Sequence, residues 1–108
     1  MDEQTEYIAR LRERITRLRV QKNVSEHRMS LDLGKSGSYI RSITSGSALP
    51  SVRELFNLIA YFDMTPAEFF NGLEPASSPR SGVIEQLLSL DEEELEKVRL
   101  FIGWIKKE

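Results

Sequence analysis

The sequence predicts an all-α protein, in which a five-helix domain is followed by a C-terminal helical hairpin. Apolar residues recur at intervals of three and four along most of the chain, and strand-like alternation is not sustained anywhere. Ser, Thr or Asp precedes most of these periodic segments, as expected of helix N-caps. Gly or Asn follows several of them, as expected where helices end.

The first helix is predicted over Tyr7–Lys22, with Asn23 at its end. One face carries a stripe of apolar side chains, namely Ile8, Leu11, Ile15 and Leu18. The other faces carry five arginines, namely Arg10, Arg12, Arg14, Arg17 and Arg19.

A short second helix is predicted after Ser25 as N-cap, with Met29 and Leu33 on its buried side. Gly34 suits the left-handed position at its C-terminus.

The third helix is predicted over Ser36–Ser45, with Ser36 as its N-cap, Ile40 and Ile43 turned inward, and Gly46 as its stop.

Two capping boxes predict the next helices, at Ser51–Glu54 and at Thr65–Glu68, the second with Pro66 in the first helical position. The fifth helix is expected to end near Asn71-Gly72. The fourth helix carries apolar residues at core spacing, namely Val52, Leu55, Phe56, Ile59 and Phe62.

The predicted organisation is a domain over residues 1–72, a linker over 73–82 rich in Pro and Ser, and a helical segment over 83–108. Helices are expected at Val83–Leu90 and Asp91–Lys107. The last helix either folds back on the domain or pairs with a second subunit, and dimerisation is favoured because the linker separates this segment from the domain. The residues expected to carry dimerisation are Leu95, Val98, Phe101, Ile102, Trp104 and Ile105.

The net charge of −2 conceals a strong asymmetry. Residues 7–53 carry ten Lys or Arg and three Asp or Glu, whereas residues 54–108 carry five bases and eleven acids. A basic segment suits a phosphate-binding surface, although solvated arginines on helix faces explain the same composition equally well.

Composition also predicts what the protein lacks. The sequence has no cysteine, and His27 is its single histidine, so a thiolate zinc site and a catalytic dyad are not expected. The acidic run Glu92–Glu94 is interpreted as a helix N-terminus rather than a metal site. No metal, cofactor or enzymatic activity is predicted. The absence of a signal peptide or a membrane-spanning segment predicts a cytoplasmic protein.

The most informative stretch is Ser25–Ser51, in which two short helices flank a tight turn. Ser30 is small enough to let the helices approach, and Gly34 releases the chain from the first of them. The outward face of the second helix carries short polar or basic groups, namely Gly37, Ser38, Arg41, Ser42 and Ser45.

This stretch resembles the Cro/repressor-type (lambda-repressor-like, XRE-like) helix-turn-helix domain. The resemblance covers residues 8–70 and rests on an ordered set: Val24-Ser25, Met29, Leu33-Gly34, Ile40, Ile43, Gly46, Pro50-Ser51 and Thr65–Phe70. It implies a five-helix lambda-repressor-like DNA-binding domain whose third helix enters the major groove.

The resemblance also implies roles for individual residues. Base contacts fall on Gly37, Ser38 and Ser42, with Arg41 on the same face and able to reach either guanine or a phosphate. DNA backbone contacts fall on Ser25, Glu26, Lys35, Ser36, Tyr39, Ser45, Ser47 and Arg19.

Three positions depart from the family pattern. Glu26 stands where the family usually has a neutral Gln, and it would repel phosphate. Thr44 replaces a Glu that often pairs with a helix-one Arg, which leaves Arg19 free for DNA. The serines discriminate bases poorly, so Arg41 and Tyr39 are expected to supply most of the specificity.

The sequence therefore predicts a sequence-specific transcriptional regulator of bacterial or phage origin, associated with the nucleoid. The simplest form is a repressor that binds an inverted-repeat operator on double-stranded DNA as a homodimer. The alternative is a protein-binding adaptor or antitoxin-like protein that uses its acidic C-terminal helices to bind a protein partner.

Overall fold

The computed structural model describes residues 2–74 and 79–107. The chain divides into two compact units, Met1–Leu73 and Glu74–Glu108. Within the described residues the regular structure is entirely helical, which confirms the all-α prediction. The first unit contains α1 (Glu3–Lys22), α2 (Glu26–Asp32), α3 (Tyr39–Thr44), α4 (Val52–Tyr61) and α5 (Pro66–Asn71).

Helix α1 begins four residues before the predicted start at Tyr7. Its N-cap is Asp2, whose carboxylate accepts a hydrogen bond of 2.8 Å from the backbone N–H of Thr5. The first turn has no apolar residue, so hydrophobic periodicity did not reveal it, although its acidic residues suit a helix N-terminus. The helix ends as predicted, with Asn23 in the left-handed conformation at φ 62°.

The predicted caps of α2, α4 and α5 are confirmed. The hydroxyl of Ser25 accepts from the N–H of Arg28, and both bonds of the capping box are present after Ser51 and after Thr65. Pro66 occupies the first turn of α5, where its missing N–H removes no helical bond.

The core of the first unit draws on all five helices. Its fully buried apolar side chains are Ile15, Met29, Ile40, Ile43, Leu58, Ile59 and Phe69. This cluster holds α2 and α3 against α1, so the two short helices rest on a rigid support.

The prediction for the buried face of α4 was partly wrong. Val52 and Phe56 are 70% and 49% exposed, whereas Leu58 is fully buried. The buried face is centred on Leu58 and Ile59, which places Phe56 on the helix flank and leaves Val52 at the exposed first turn.

The second unit contains α6 (Pro79–Leu88) and α7 (Glu92–Lys106). The predicted start of a helix at Val83 was late, because the last residues of the predicted linker already belong to α6. Proline at a helix start is unhindered, which allows α6 to begin at Pro79. At the other end of the predicted linker, Leu73 still belongs to the first unit, and residues 75–78 lie outside the described residues. Helix α7 follows Asp91, which forms a complete capping box with Glu94.

Candidate nucleic-acid interface

The turn between α2 and α3 begins at Gly34, which has the predicted left-handed conformation with φ 74°. The N–H of Tyr39 then donates to the carbonyl of Ser36 at 3.1 Å, closing a short turn before α3. The third helix was predicted over Ser36–Ser45 with Ser36 as N-cap, and this was wrong. Helix α3 runs from Tyr39 to Thr44 with Ser38 as N-cap, because Gly37 has low helix propensity and extends the turn.

Ser30 connects α2 to the start of α3. Its buried hydroxyl donates to the carbonyl of Glu26 at 2.7 Å and accepts from the N–H of Ile40 at 3.0 Å. The N-cap residue of α3, Ser38, accepts no hydrogen bond from the helix through its side chain. The hydroxyl of Ser30, on α2, instead accepts from an N–H in the first turn of α3, which has no partner within its own helix. The sequence predicted Ser30 only as a small residue, and this cap was missed.

Helix α3 has a buried face and an exposed face, as the sequence predicted. Ile40 and Ile43 are buried, whereas Ser38 and Arg41 are exposed. The side chain of Arg41 is 74% exposed. Ser42 is half-buried, and its hydroxyl donates to the carbonyl of Tyr39 at 2.6 Å, so its oxygen keeps acceptor capacity.

Glu26, predicted as a DNA backbone contact, turns its carboxylate towards α3. Nη1 of Arg41 donates to Oε1 of Glu26 at 3.2 Å, and the hydroxyl of Thr44 donates to Oε2. The bond from Thr44 and the guanidinium of Arg41 keep the pKa of Glu26 below its ordinary value, against the opposing effect of partial burial. Glu26 therefore neutralises and orients the main cation of the exposed face.

Lys35 and Tyr39 are both held by Glu54 at the start of α4. The hydroxyl of Tyr39 donates to Oε1 of Glu54 at 2.9 Å, and Nζ of Lys35 lies 3.2 Å from Oε2. Burial, together with the adjacent Glu54, raises the pKa of Tyr39. The two residues predicted to contact DNA backbone therefore share Glu54 as a partner, and the hydroxyl of Tyr39 is already bonded within the protein.

Gly37 lies directly against the ring of His27. A Cβ atom at position 37 would be 2.4 Å from both Cε1 and Nδ1 of His27. A side chain at position 37 would therefore displace the exposed ring of His27 from this position.

The segment after α3 folds back on the end of that helix. Gly46 has the predicted left-handed conformation with φ 91°. The carbonyl of Ser42 accepts from the hydroxyl of Ser47 and from the N–H of Ala48, both at 2.9 Å. Ser45 and Ser47 remain exposed, as do the predicted backbone contacts Ser25 and Ser36.

The arginines of α1 have roles that the charge pattern did not predict. Nε of Arg12 donates to the carbonyl of Ile43 at 3.0 Å and thereby caps the C-terminus of α3. Nη1 of Arg19 donates to the carbonyl of Val24 at 2.8 Å, so the expectation that Arg19 is free was wrong. Arg10 and Arg14 donate in the same way to carbonyls near the end of α5. These arginines add hydrogen bonds to carbonyls at or just beyond the ends of helices, where acceptor capacity is not used by the helix itself.

The charge around the two short helices is thus largely paired. Besides the pairs already described, Arg28 lies 3.0 Å from Asp32 and Lys22 lies 3.8 Å from Asp63. Arg53 is exposed and forms no ion pair with any residue in the described parts of the chain. Arg53 was not among the residues that the sequence predicted to contact DNA. The capping box that contains it involves only the side chains of Ser51 and Glu54, so it gave no information on the side chain of Arg53.

Within residues 2–74 and 79–107, no cluster of three or more His, Asp or Glu is arranged to hold a metal ion. None of the helices described there is long and apolar enough to cross a membrane.

Comparison with known proteins agrees with the arrangement of α2, the turn and α3 described above. Residues 15–69, slightly more than half of the chain, match the family model described as Helix-turn-helix. No curated protein matches the chain, and no solved structure matches it. The matched range covers the C-terminal part of α1 from Ile15 onwards and all of α2, α3 and α4, and it ends within α5. The chain therefore belongs to the helix-turn-helix family, as a Cro/repressor-type DNA-binding protein and transcription regulator.

Proposed function

We propose that the chain is a sequence-specific repressor that binds an inverted-repeat operator as a homodimer and places α3 in the major groove. The observation that carries the proposal is the position of Arg41 on α3. Its side chain is 74% exposed on the face opposite Ile40 and Ile43, which anchor the helix in the core. Insertion of α3 would therefore present Arg41 to base edges without disturbing the core.

Arg41 is the main reader of bases in this proposal. A guanidinium donates two parallel hydrogen bonds to guanine, which is the most frequent specific contact in the major groove. Ser38 and Ser42 add hydroxyls that tolerate several bases. Gly37, which lacks a side chain, lets the backbone come close to the DNA.

Phosphates would be held around this reading group. Lys35, fixed by Glu54, supplies a positive charge at the turn, and the ring of Tyr39 packs beside it. Hydroxyls at both ends of the two helices supply further contacts, from Ser25, Ser36, Ser45 and Ser47.

Glu26 and Arg19 have altered roles in this arrangement. The carboxylate of Glu26 would orient Arg41 instead of touching phosphate, since it is already bonded to α3. Arg19 would hold the carbonyl of Val24 and so position the N-terminus of α2 towards the DNA.

Repression would act by occlusion of a promoter. In a dimer on a two-fold symmetric site, the two α3 helices would lie one turn of DNA apart, or about 34 Å. Selection of bound sequences from random DNA, followed by footprinting, tests this. A two-fold symmetric motif is expected, and R41A should abolish its enrichment, whereas R80A removes the same charge from the second unit and should not. Recovery of no motif would overturn the proposal.

A protein-binding adaptor is the second candidate, because α7 has exposed apolar side chains and no buried residue among those described. The two candidates differ in the salt dependence of DNA affinity. A repressor that contacts several phosphates loses affinity steeply as salt rises. A weak salt slope together with tight binding of a protein partner would favour the adaptor.

A further inference from the structure

Among the described residues of the second unit, the apolar face of α7 has no fully buried side chain. Leu95, Val98, Ile102 and Ile105 are spaced by three, four and three residues, which puts them on one side of the helix. Leu95, Ile102 and Ile105 are 39%, 44% and 59% exposed, whereas Val98 is half-buried. A helix of 15 residues is marginal in water without tertiary packing, so this face requires a cover.

The charges on α7 indicate what that cover is. Residues 91–96 carry five acids, and residues 97–107 carry four bases and no acid. This order complements the dipole of each helix. It also makes the helix complementary to a second copy of itself running in the opposite direction, since the acidic end of each would lie beside the basic end of the other.

We propose that α7 pairs antiparallel with α7 of a second copy of this chain. In the register that aligns the apolar residues, Leu95 packs against the partner's Ile105, and Val98 packs against the partner's Ile102. By symmetry this register forms four apolar layers. The proposal rests on the homodimer of the proposed function and gives its subunits a defined orientation.

The flanks of the same register support the antiparallel direction. Glu92 lies beside the partner's Lys106, and the symmetric pair repeats the contact. Phe101 lies near the two-fold axis, across from its own copy. Arg99 also lies near the axis, across from its own copy. Glu96 on the same helix reduces the repulsion between the two arginines, because its Oε2 lies 3.9 Å from Nη1 of Arg99.

A parallel pair would be electrostatically unfavourable. It would place the acidic segments 91–96 side by side, at a helix separation of about 8–10 Å, which does not exceed the Debye length at 0.1 M salt. Parallel helix dipoles would add to that repulsion.

A charge-swap cycle on the full chain tests the orientation by sedimentation. E92K and K106E each place like charges at two symmetric contacts, and each should weaken the dimer by roughly tenfold. The double variant E92K/K106E should restore most of the affinity. Each substitution also opposes the helix dipole. If the single variants weakened the dimer only by destabilising the helix, their effects would add in the double variant and affinity would not be restored. Additive losses, or a wild-type chain that stays monomeric at every concentration, would overturn the proposal.

Spin-label distances supply an independent test, because the sequence has no cysteine and a single introduced one is labelled uniquely. Glu93 and Leu100 are seven residues apart and lie on the same outward side of α7. In the antiparallel dimer, E93C labels are offset by about 21 Å along the axis, while L100C labels have no offset. The E93C distance should therefore exceed the L100C distance, and equal distances would contradict the antiparallel pair.

The outcomes separate this inference from the proposed function. A two-fold operator together with parallel α7 helices would overturn the inference alone. Antiparallel α7 helices together with no selected DNA motif would overturn the repressor alone.

Discussion

Glu26 on α2 forms an ion pair with Arg41 on α3, with Nη1 of Arg41 3.2 Å from Oε1 of Glu26. The carboxylate also accepts from Thr44, one turn further along α3. The direction of the most exposed cation on α3 is thus set by a residue of the neighbouring helix. A negative charge at this place also weakens the attraction of the surface for phosphate in general.

Removal of the negative charge of Glu26 should raise the affinity for DNA in general and lower the preference for the operator. In E26Q the attraction of the surface for any DNA rises, while Arg41 loses the partner that orients it. We expect affinity for random DNA to rise several-fold and the ratio of operator to random affinity to fall. Titrations at two salt concentrations measure both. D32N makes the same charge change at the other end of α2 and should leave the ratio unchanged, whereas an unchanged ratio in E26Q would contradict the orienting role.

Ser30 should contribute to stability through its bond to α3. S30A leaves the buried N–H of Ile40 without its acceptor, and an unsatisfied buried donor costs about 1–3 kcal/mol. Urea denaturation should show a loss in this range. S45A removes an exposed hydroxyl and should change the free energy of unfolding by less than about 0.5 kcal/mol. Equal effects of the two variants would show that the bond contributes nothing specific.

Arg12 should stabilise the end of α3. R12A removes the donor to the carbonyl of Ile43, and a hydrogen bond to a charged group contributes about 1.5–3 kcal/mol. We expect a loss of about 1 kcal/mol or more in the free energy of unfolding, with faster amide exchange in residues 43–48. R17A removes an exposed arginine from the same helix and serves as the matched control. If both variants lose the same stability, the capping role is wrong.

Gly37 and His27 should show measurable coupling. G37A forces the exposed ring of His27 to move, and a strained side-chain rotamer costs about 0.5–1.5 kcal/mol. In the H27A background the clash is absent, and the added methyl group should be neutral or stabilising by up to about 1 kcal/mol, since alanine restricts the unfolded chain. Thermal denaturation of the wild type, G37A, H27A and G37A/H27A measures the coupling energy between the two positions. If the changes in stability of the two single variants simply add in the double variant, the two residues are not in contact.

Stability should decline on acidification. The pKa values of Glu26, Glu54 and Glu68 are lowered from an ordinary 4.5, chiefly by the hydroxyl of Thr44 for Glu26 and by backbone N–H groups for the other two. A lowered pKa contributes stability that is present above the unfolded value and is lost as pH falls through the folded value. We expect stability to fall below about pH 4.5.

A triple E26Q/E54Q/E68Q variant provides the control for this pH dependence. Its decline below pH 4.5 should be shallower than that of the wild type, because the three groups no longer titrate. Urea denaturation across this pH range measures both curves. An equally steep decline in the variant would assign the acid sensitivity to other carboxylates.

Much of the fold could be predicted from the sequence, because its signals are local. The caps at Ser25, Ser51 and Thr65, and the left-handed positions at Gly34 and Gly46, each depend on a few neighbouring residues. Such signals predicted five helices in the first unit and the exposed position of Arg41.

The remaining features depend on contacts between distant parts of the chain. The bond of Arg12 to Ile43 spans 31 positions and that of Tyr39 to Glu54 spans 15, and no local pattern indicates which arginine meets which carbonyl. The pairing of Glu26 with Arg41 likewise depends on how α2 crosses α3. Apolar spacing also failed at Val52, because it gives the buried side of a helix but not the point at which the core ends.

The most direct test of the central claim, that Arg41 reads bases from the exposed face of α3, compares R41A with the wild type on two DNAs. One is the operator recovered by selection, and the other is a random duplex of the same length. We expect R41A to bind the operator at least tenfold more weakly, as loss of a bidentate contact worth about 1–3 kcal/mol implies, with a much smaller change on random DNA. Equal losses on the two DNAs would instead make Arg41 a phosphate contact and contradict the claim.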